Sequence, residues 1–152
     1  MSFYYRSIRW VYGDNNKGGL LTGPYPKEGS KLLDNLLGNG VDVFINLCND
    51  DEIICKGDYT NYVMYNCVTK NKAITMDIDV RNKSQLLSCF NRIVDMISHM
   101  RTVYVHDSTC GFRSHYFCAK FLIEAVGMSK DEAASMVFKD NMKMYNTYKH
   151  KL

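Results

Sequence analysis

The chain has 152 residues, of which 46% are hydrophobic and 23% charged, and its formal net charge is +3. That is enough chain for one core and an ordinary globular composition, so a single domain over residues 1–152 is expected. No apolar run approaches the length of a membrane span, the stretch Met1–Arg6 lacks the apolar core of a signal peptide, and a charge of +3 is modest beside the basic stripes that sustain nucleic-acid binding.

Taken in order, the residues from Tyr4 to Tyr12 predict a strand, with Ile8, Trp10 and Tyr12 alternating against Arg9 and Val11, and Gly13-Asp14-Asn15-Asn16 predicts its turn. Gly18 to Thr22 reads as a second short strand, and Gly23-Pro24-Tyr25-Pro26 breaks the chain after it. Ser30 can cap a helix with Leu32, Leu33, Leu36 and Leu37 on one face, ending near Gly38 or Gly40. Val41 to Leu47 is the clearest strand. Val41, Val43, Ile45 and Leu47 alternate, and Phe44 on the other face implies cover from both sides.

Asn49-Asp50-Asp51-Glu52 reads as an acidic turn, Tyr62 to Val68 as a further β run, and Thr69–Lys72 as a polar segment leading to Ile74–Asp79. A helix is expected from Ser84 to His99, with Leu86, Leu87, Phe90, Ile93, Val94 and Ile97 as its apolar stripe. Ser129 and Glu132 have the spacing of a capping box opening a last helix with Ala133, Met136 and Val137 inward. Strands alternating with helices predict an α/β domain, a mixed sheet flanked by helices. The nine methionines are scattered and read as core filler. From Lys139 onward four lysines face one acid, Asp140, which reads as a solvated helix face more readily than as a device for steering an anion.

The chemistry gathers in Val103–His115. Val103, Tyr104 and Val105 are strand formers, and Phe117, Cys118, Phe121, Leu122 and Ala125 repeat at helical spacing, so the polar residues between them form a loop at a helix N-terminus. Such a place favours an anion, and Arg113 adds a fork that grips phosphate oxygens in pairs. His106, position 107, five residues, then Arg113 and Ser114 resemble the His-Cys-x5-Arg-Ser/Thr signature of cysteine-dependent protein phosphatases. The short strand, Gly-Pro, leucine helix and Val-x-Val-x-Ile-Asn-Leu run of the first third also resemble compact, atypical dual-specificity phosphatases.

The resemblance implies a dual-specificity-phosphatase-like fold and a phosphate-binding loop made of Ser108, Thr109, Cys110, Gly111, Phe112 and Arg113, with Ser114 assisting the leaving nucleophile. His106 is implied to support the nucleophile's surroundings. It also implies a proton donor on a loop some thirty residues upstream. Asp77, 30 positions before residue 107, is preferred over Asp79, 28 before it.

Two departures stand out. The nucleophile position holds Asp107, and Cys110 stands where the family usually has a glycine, with Gly111 one place late. A carboxylate is a far poorer nucleophile toward a phosphate dianion than a thiolate, and it fills an anion pocket electrostatically. The leading reading is therefore a phosphatase-fold protein without turnover, a pseudophosphatase acting by binding partners or phosphorylated ligands. Arg113 is then expected to contact Asp107 or a bound anion.

The alternative reading is an enzyme of phosphoprotein, inositol phosphate or RNA 5′-phosphate whose nucleophilic cysteine has been replaced by Asp107, with Lys70 and Lys72 suiting a highly anionic substrate. No cofactor and no metal are expected. The six cysteines carry no paired or ligand-like spacing, so free thiols are predicted. An intracellular setting, cytoplasmic or nuclear, is expected, with a phosphorylated protein, another anionic phosphate ligand or a protein partner bound, and nucleic acid disfavoured.

Overall fold

The computed structural model describes residues 7–109 and 111–152. The start of the predicted first strand, Tyr4 to Arg6, and Cys110 lie outside them. β1 (Arg9–Asp14) and β2 (Gly18–Thr22) form an antiparallel hairpin. Gly13 (φ +74°) and Gly18 (φ +81°) turn it, and a Cβ on Gly13 would lie 2.3 Å from the Gly18 carbonyl oxygen, so only glycine permits that approach. β3 (Val43–Asn46), β4 (Ile74–Asp77) and β5 (Thr102–His106) complete a five-stranded sheet in the order β1-β2-β5-β3-β4, parallel apart from the hairpin. This is the mixed sheet flanked by helices expected of the sequence.

The alternation in β3 sends residues to two cores. Val43 and Ile45 pack with Leu86, Phe90 and Ile93 of α4 (Lys83–Ser98), with Phe117 and Phe121 of α5 (Phe112–Phe121), and with Ala133 and Val137 of α6 (Lys130–Val137). Phe44 packs on the opposite face with Leu33, Leu36 and Leu37 of α1 (Lys31–Gly38), and with Tyr59 and Val63. Each of these fully buried Leu or Phe side chains is worth about 1.5–3 kcal/mol in transfer free energy, so the two layers hold the strand ends in fixed register. Ser30 caps α1, its hydroxyl accepting from the Leu33 amide at 3.2 Å.

Two segments differ from the sequence reading. The acidic stretch Asn49–Glu52 opens a helix, α2 (Asp50–Lys56), through a reciprocal capping box in which Asn49 accepts from the Glu52 amide and Glu52 accepts from the Asn49 amide. The predicted β run Tyr62–Val68 is mostly helix, α3 (Thr60–Asn66). Tyr59 and Val63, four apart, are the residues that enter the core there, while Met64 and Tyr65 face solvent, so helical spacing decides against strand propensity. Val94 and Met136, expected inward, are 46% and 41% exposed; Cys89 and Met96 on α4 and Ala134 on α6 take the buried places.

α5 runs on as a π-helical turn, Leu122–Val126, closed by Gly127 in the left-handed region. Beyond α6 comes α7 (Met142–Tyr148), within the stretch from Lys139 expected to be a solvated helix face, and then a 3-10 turn, Lys149–Lys151; none of their residues is buried. No helix of the described residues is long and apolar enough to cross a membrane, none of their His, Cys, Asp and Glu side chains group as metal ligands, and the five described cysteines are free.

Candidate functional site

The carboxyl ends of the parallel strands build the site. His106, Asn46 and Asp77 stand in register as the last residues of β5, β3 and β4, so side chains from three strands project from one edge, the place where open α/β sheets hold ligands. β5 continues directly into the loop Asp107–Gly111, and α5 begins at Phe112.

The loop amides converge on a carboxylate of the chain itself. Asp107, 1% exposed, accepts from the amides of Thr109 (3.1 Å) and Gly111 (2.9 Å) through Oδ1, and from the Ser114 amide (3.1 Å) and hydroxyl (3.3 Å) through Oδ2. Ser114 is the third residue of α5, whose N-cap Gly111 has no side chain to offer. Asp107 thus performs, from within the loop, the task of a capping carboxylate at the positive end of a helix. Gly111 has φ −93°, so left-handed backbone is not its purpose. A Cβ there would sit in ordinary contact with Asp107 Oδ2 at 3.5 Å and tight against the Thr109 hydroxyl at 3.1 Å, so a side chain at this position would press on Thr109 before it pressed on the carboxylate.

Arg113 does not meet Asp107, contrary to expectation. Its guanidinium forms a two-pronged pair with Glu52, at 2.6 and 2.5 Å, and its Nη1 also donates to the Leu47 carbonyl at 3.0 Å. Ser108 donates to the same carboxylate and accepts from Arg113 Nη2 at 3.2 Å. The cause is the unforeseen helix α2, whose capping box fixes Glu52 opposite the loop while backbone amides already satisfy Asp107. The Arg113 guanidinium, with help from Ser108, holds the Glu52 carboxyl down at about 2.

His106 is fully buried beneath the loop. Its Nε2 lies 2.5 Å from the Tyr59 hydroxyl and its Nδ1 3.3 Å from the Asp107 carbonyl oxygen. A hydroxyl donating to Nε2 leaves the proton on Nδ1, facing that carbonyl. Burial pushes the imidazole down to about 4, so it is neutral at physiological pH and braces the loop without carrying charge.

Asp77 Oδ1 accepts from Asn46 Nδ2 at 3.1 Å, and Asn46 Oδ1 in turn accepts from the Cys48 amide. Asp79 is occupied by its neighbour, taking the Arg81 amide at 3.0 Å and the Arg81 guanidinium at 3.1 and 3.3 Å, and that guanidinium lowers its pKa. A cavity of about 570 Å³ brings Asp77, Asp79, Phe112 and Arg113 together, walled by Leu47, Ile78 and Val80. Burial raises the Cys48 thiol on the same wall to about 12, which keeps it protonated and unreactive.

Other sequence expectations fall apart in space. Lys70 and Lys72 precede β4, whereas Asp77 ends it, so about 10 Å of strand separates them from the site. That polar segment is tied instead to Asp42 at the opposite sheet end, through Thr69 and Asn71. Conversely, Lys151 lines the cavity, and its Nζ lies 5.6 and 5.5 Å from the ring centroids of Phe112 and Tyr148. Glu52 and Lys151 are the residues that sequence reasoning missed; only the Asn49-x-x-Glu52 capping pattern could have pointed to the first.

No family model matches the sequence and no curated protein matches it. Solved structures do. The crystal structure of PTPMT1 in complex with PI(5)P matches with a TM-score of 0.66 at 18% identity, covering 88% of this chain and 82% of that one. Tk-PTP in its active form matches with a TM-score of 0.68 at 16% identity, covering 97% and 99%. The human tyrosine phosphatase-like serine/threonine/tyrosine-interacting protein matches with a TM-score of 0.61 at 19% identity, covering 79% and 78%. At such identities the likeness is one of architecture, and the architecture is that of the dual-specificity-phosphatase-like fold.

Proposed function

We propose that this protein is a pseudophosphatase: it keeps the phosphatase frame, does not turn over phosphate esters, and acts by binding a protein partner. The observation that carries this reading is the Asp107 carboxylate inside the loop. It accepts from Thr109, Gly111 and Ser114, the amides an incoming phosphate would need. Glu52 takes up the Arg113 fork in the same way. A phosphate dianion would have to displace two internal carboxylates, one of them nearly buried, and like charges brought that close in a partly desolvated pocket repel by on the order of a few kcal/mol.

An adapter role uses what remains: a rigid edge of three strand ends and a cavity beside the loop. The test is titration of the purified protein with inorganic phosphate and tungstate, followed by the amide resonances of Thr109, Gly111 and Ser114. The expected result is no saturable shift. Millimolar or tighter binding that disappears in Arg113→Ala would overturn the reading.

A second reading has its own support. Asp77 faces the same cavity as Arg113 and is free of any ion pair among the described residues, as a proton donor to a leaving group must be. With a thiolate at position 107 the same frame would suit a hydrolase of phosphoprotein, inositol phosphate or RNA 5′-phosphate. Asp79, held by Arg81, is the poorer candidate for the acid.

A further inference from the structure

We propose that the cavity beside the loop binds a lysine or arginine side chain of a protein partner, and that Lys151 of the chain's own C-terminal segment holds that place in the free protein. This rests on the reading that the phosphate cradle is filled from within. The charge around the cavity supports it. Arg113 is taken up by Glu52, and Arg81 by Asp79. What remains at the rim is Asp50 and Asp77, in no ion pair among the described residues, against the single ammonium of Lys151. An excess of unpaired carboxylate over cation repels a phosphate and attracts a basic side chain.

The walls fit the same occupant. Leu47, Ile78 and Val80 offer apolar surface to a methylene stem, and Phe112 offers a ring face to a cation. The chain displays that mode itself: Phe112 and Tyr148 meet tilted by 31° with centroids 4.3 Å apart, and the Lys151 ammonium lies over both rings. The segment bearing it lies at the surface: no residue of Met142–Lys151 is buried, while Met144, Tyr145 and Leu152 rest part-buried against the core, Tyr145 beside Phe138 at 5.6 Å between centroids, and Lys120 Nζ donates to the Leu152 carbonyl oxygen at 3.4 Å. Lys151 itself is exposed, so a partner's basic residue can take the place of its ammonium while those contacts stay.

The probe is a fluorescent peptide that copies residues 148–151, Tyr-Lys-His-Lys, with blocked glycine ends, titrated against the full chain at low and high salt. Binding is expected to be about tenfold tighter to Lys151→Ala than to the natural chain, because the internal competitor is gone. Asp77→Asn and Asp50→Asn should each weaken it several-fold, and high salt should weaken it further. Lys151→Met, which keeps the stem and removes the charge, serves as the second variant and should behave like Lys151→Ala. A peptide with both lysines changed to glutamate should not bind. Equal binding of the glutamate peptide, indifference to both Lys151 variants, or no binding at all would overturn the proposal and leave the pseudophosphatase reading standing. Preference for a phosphoserine peptide, lost in Arg113→Ala, would overturn both.

Discussion

Asp42 and Asp107 lie at opposite ends of the sheet, each 1% exposed, one just before β3 and the other just after β5. Asp42 is satisfied by side chains from two other segments: Arg101 Nε at 3.3 Å, Thr69 Oγ1 at 3.1 Å and Asn71 Nδ2 at 3.2 Å. Asp107 is satisfied chiefly by backbone amides that the loop and the start of α5 present in any case. A carboxylate bound by side chains from two segments is a staple that joins them. A carboxylate bound by a helix end occupies a site that would take other anions, so exchanging it alters chemistry as well as stability.

The largest test of that contrast is exchange of the occupant. Asp107→Cys combined with Glu52→Gln, which releases Arg113, should bring hydrolysis of a small aryl phosphate from background to a rate several orders of magnitude higher, because a thiolate, the freed Arg113 fork and Ser114 would then act together. The same change with Cys110→Gly tests the second departure from the phosphatase pattern. Loss of the gained activity on adding Asp77→Asn would assign the proton donor. No activity in either variant would show that the loop has become a purely structural anchor.

Acid should weaken the fold through His106 beneath the loop. His106 has its folded pKa depressed to about 4 against about 6.5 unfolded, so the unfolded chain takes up the proton first. The stability from keeping it neutral is complete above pH 6.5, declines as pH falls, and is gone below about 4; about 3 kcal/mol is at stake. Denaturant unfolding across that range should show the slope in the natural chain and a flatter one in His106→Asn, and equal slopes would contradict the buried, neutral imidazole.

Removing each carboxylate should separate staple from occupant. Asp42→Ala leaves Arg101, whose side chain is 14% exposed, without its partner and should cost about 3 kcal/mol. Asp107→Ala leaves the loop amides unpaired and should cost about 1–3 kcal/mol. Sulfate at tens of millimolar should restore the melting temperature of the second variant and not the first, since only the second vacates an anion site. Sulfate acting equally on both would end the distinction.

Glu52→Gln is the mildest change. Its carboxylate is stabilised above pH 4.5, and that contribution is lost as pH falls toward its folded value of about 2. With the pair partly open to solvent, the variant should lose about 1 kcal/mol at neutral pH and little at pH 2. The freed Arg113 should then raise the sulfate affinity of Asp107→Ala, measurable by the same melting shift.

The sequence by itself determined the parts whose physics is local. The alternation in Val41–Leu47, the leucine face after Ser30 and the strand-loop-helix order around Asp107 could each be read from neighbouring residues, because period and helix ends are written within a dozen positions. For the same reason a carboxylate at position 107, ahead of a helix start, announced a partner for that helix's free amides. Tertiary structure alone decided the rest. Arg113 chose Glu52, 61 residues away, because the capping box at Asn49 set that carboxylate against the loop. Most of Tyr62–Val68 became helix, as part of a turn whose buried residues Tyr59 and Val63 stand four apart. Lys70 and Lys72 went to the far end of β4, while Lys151, at the other extreme of the chain, came to the cavity. Such pairings are set by which surfaces the packed layers bring together, and distance along the chain carries no record of them.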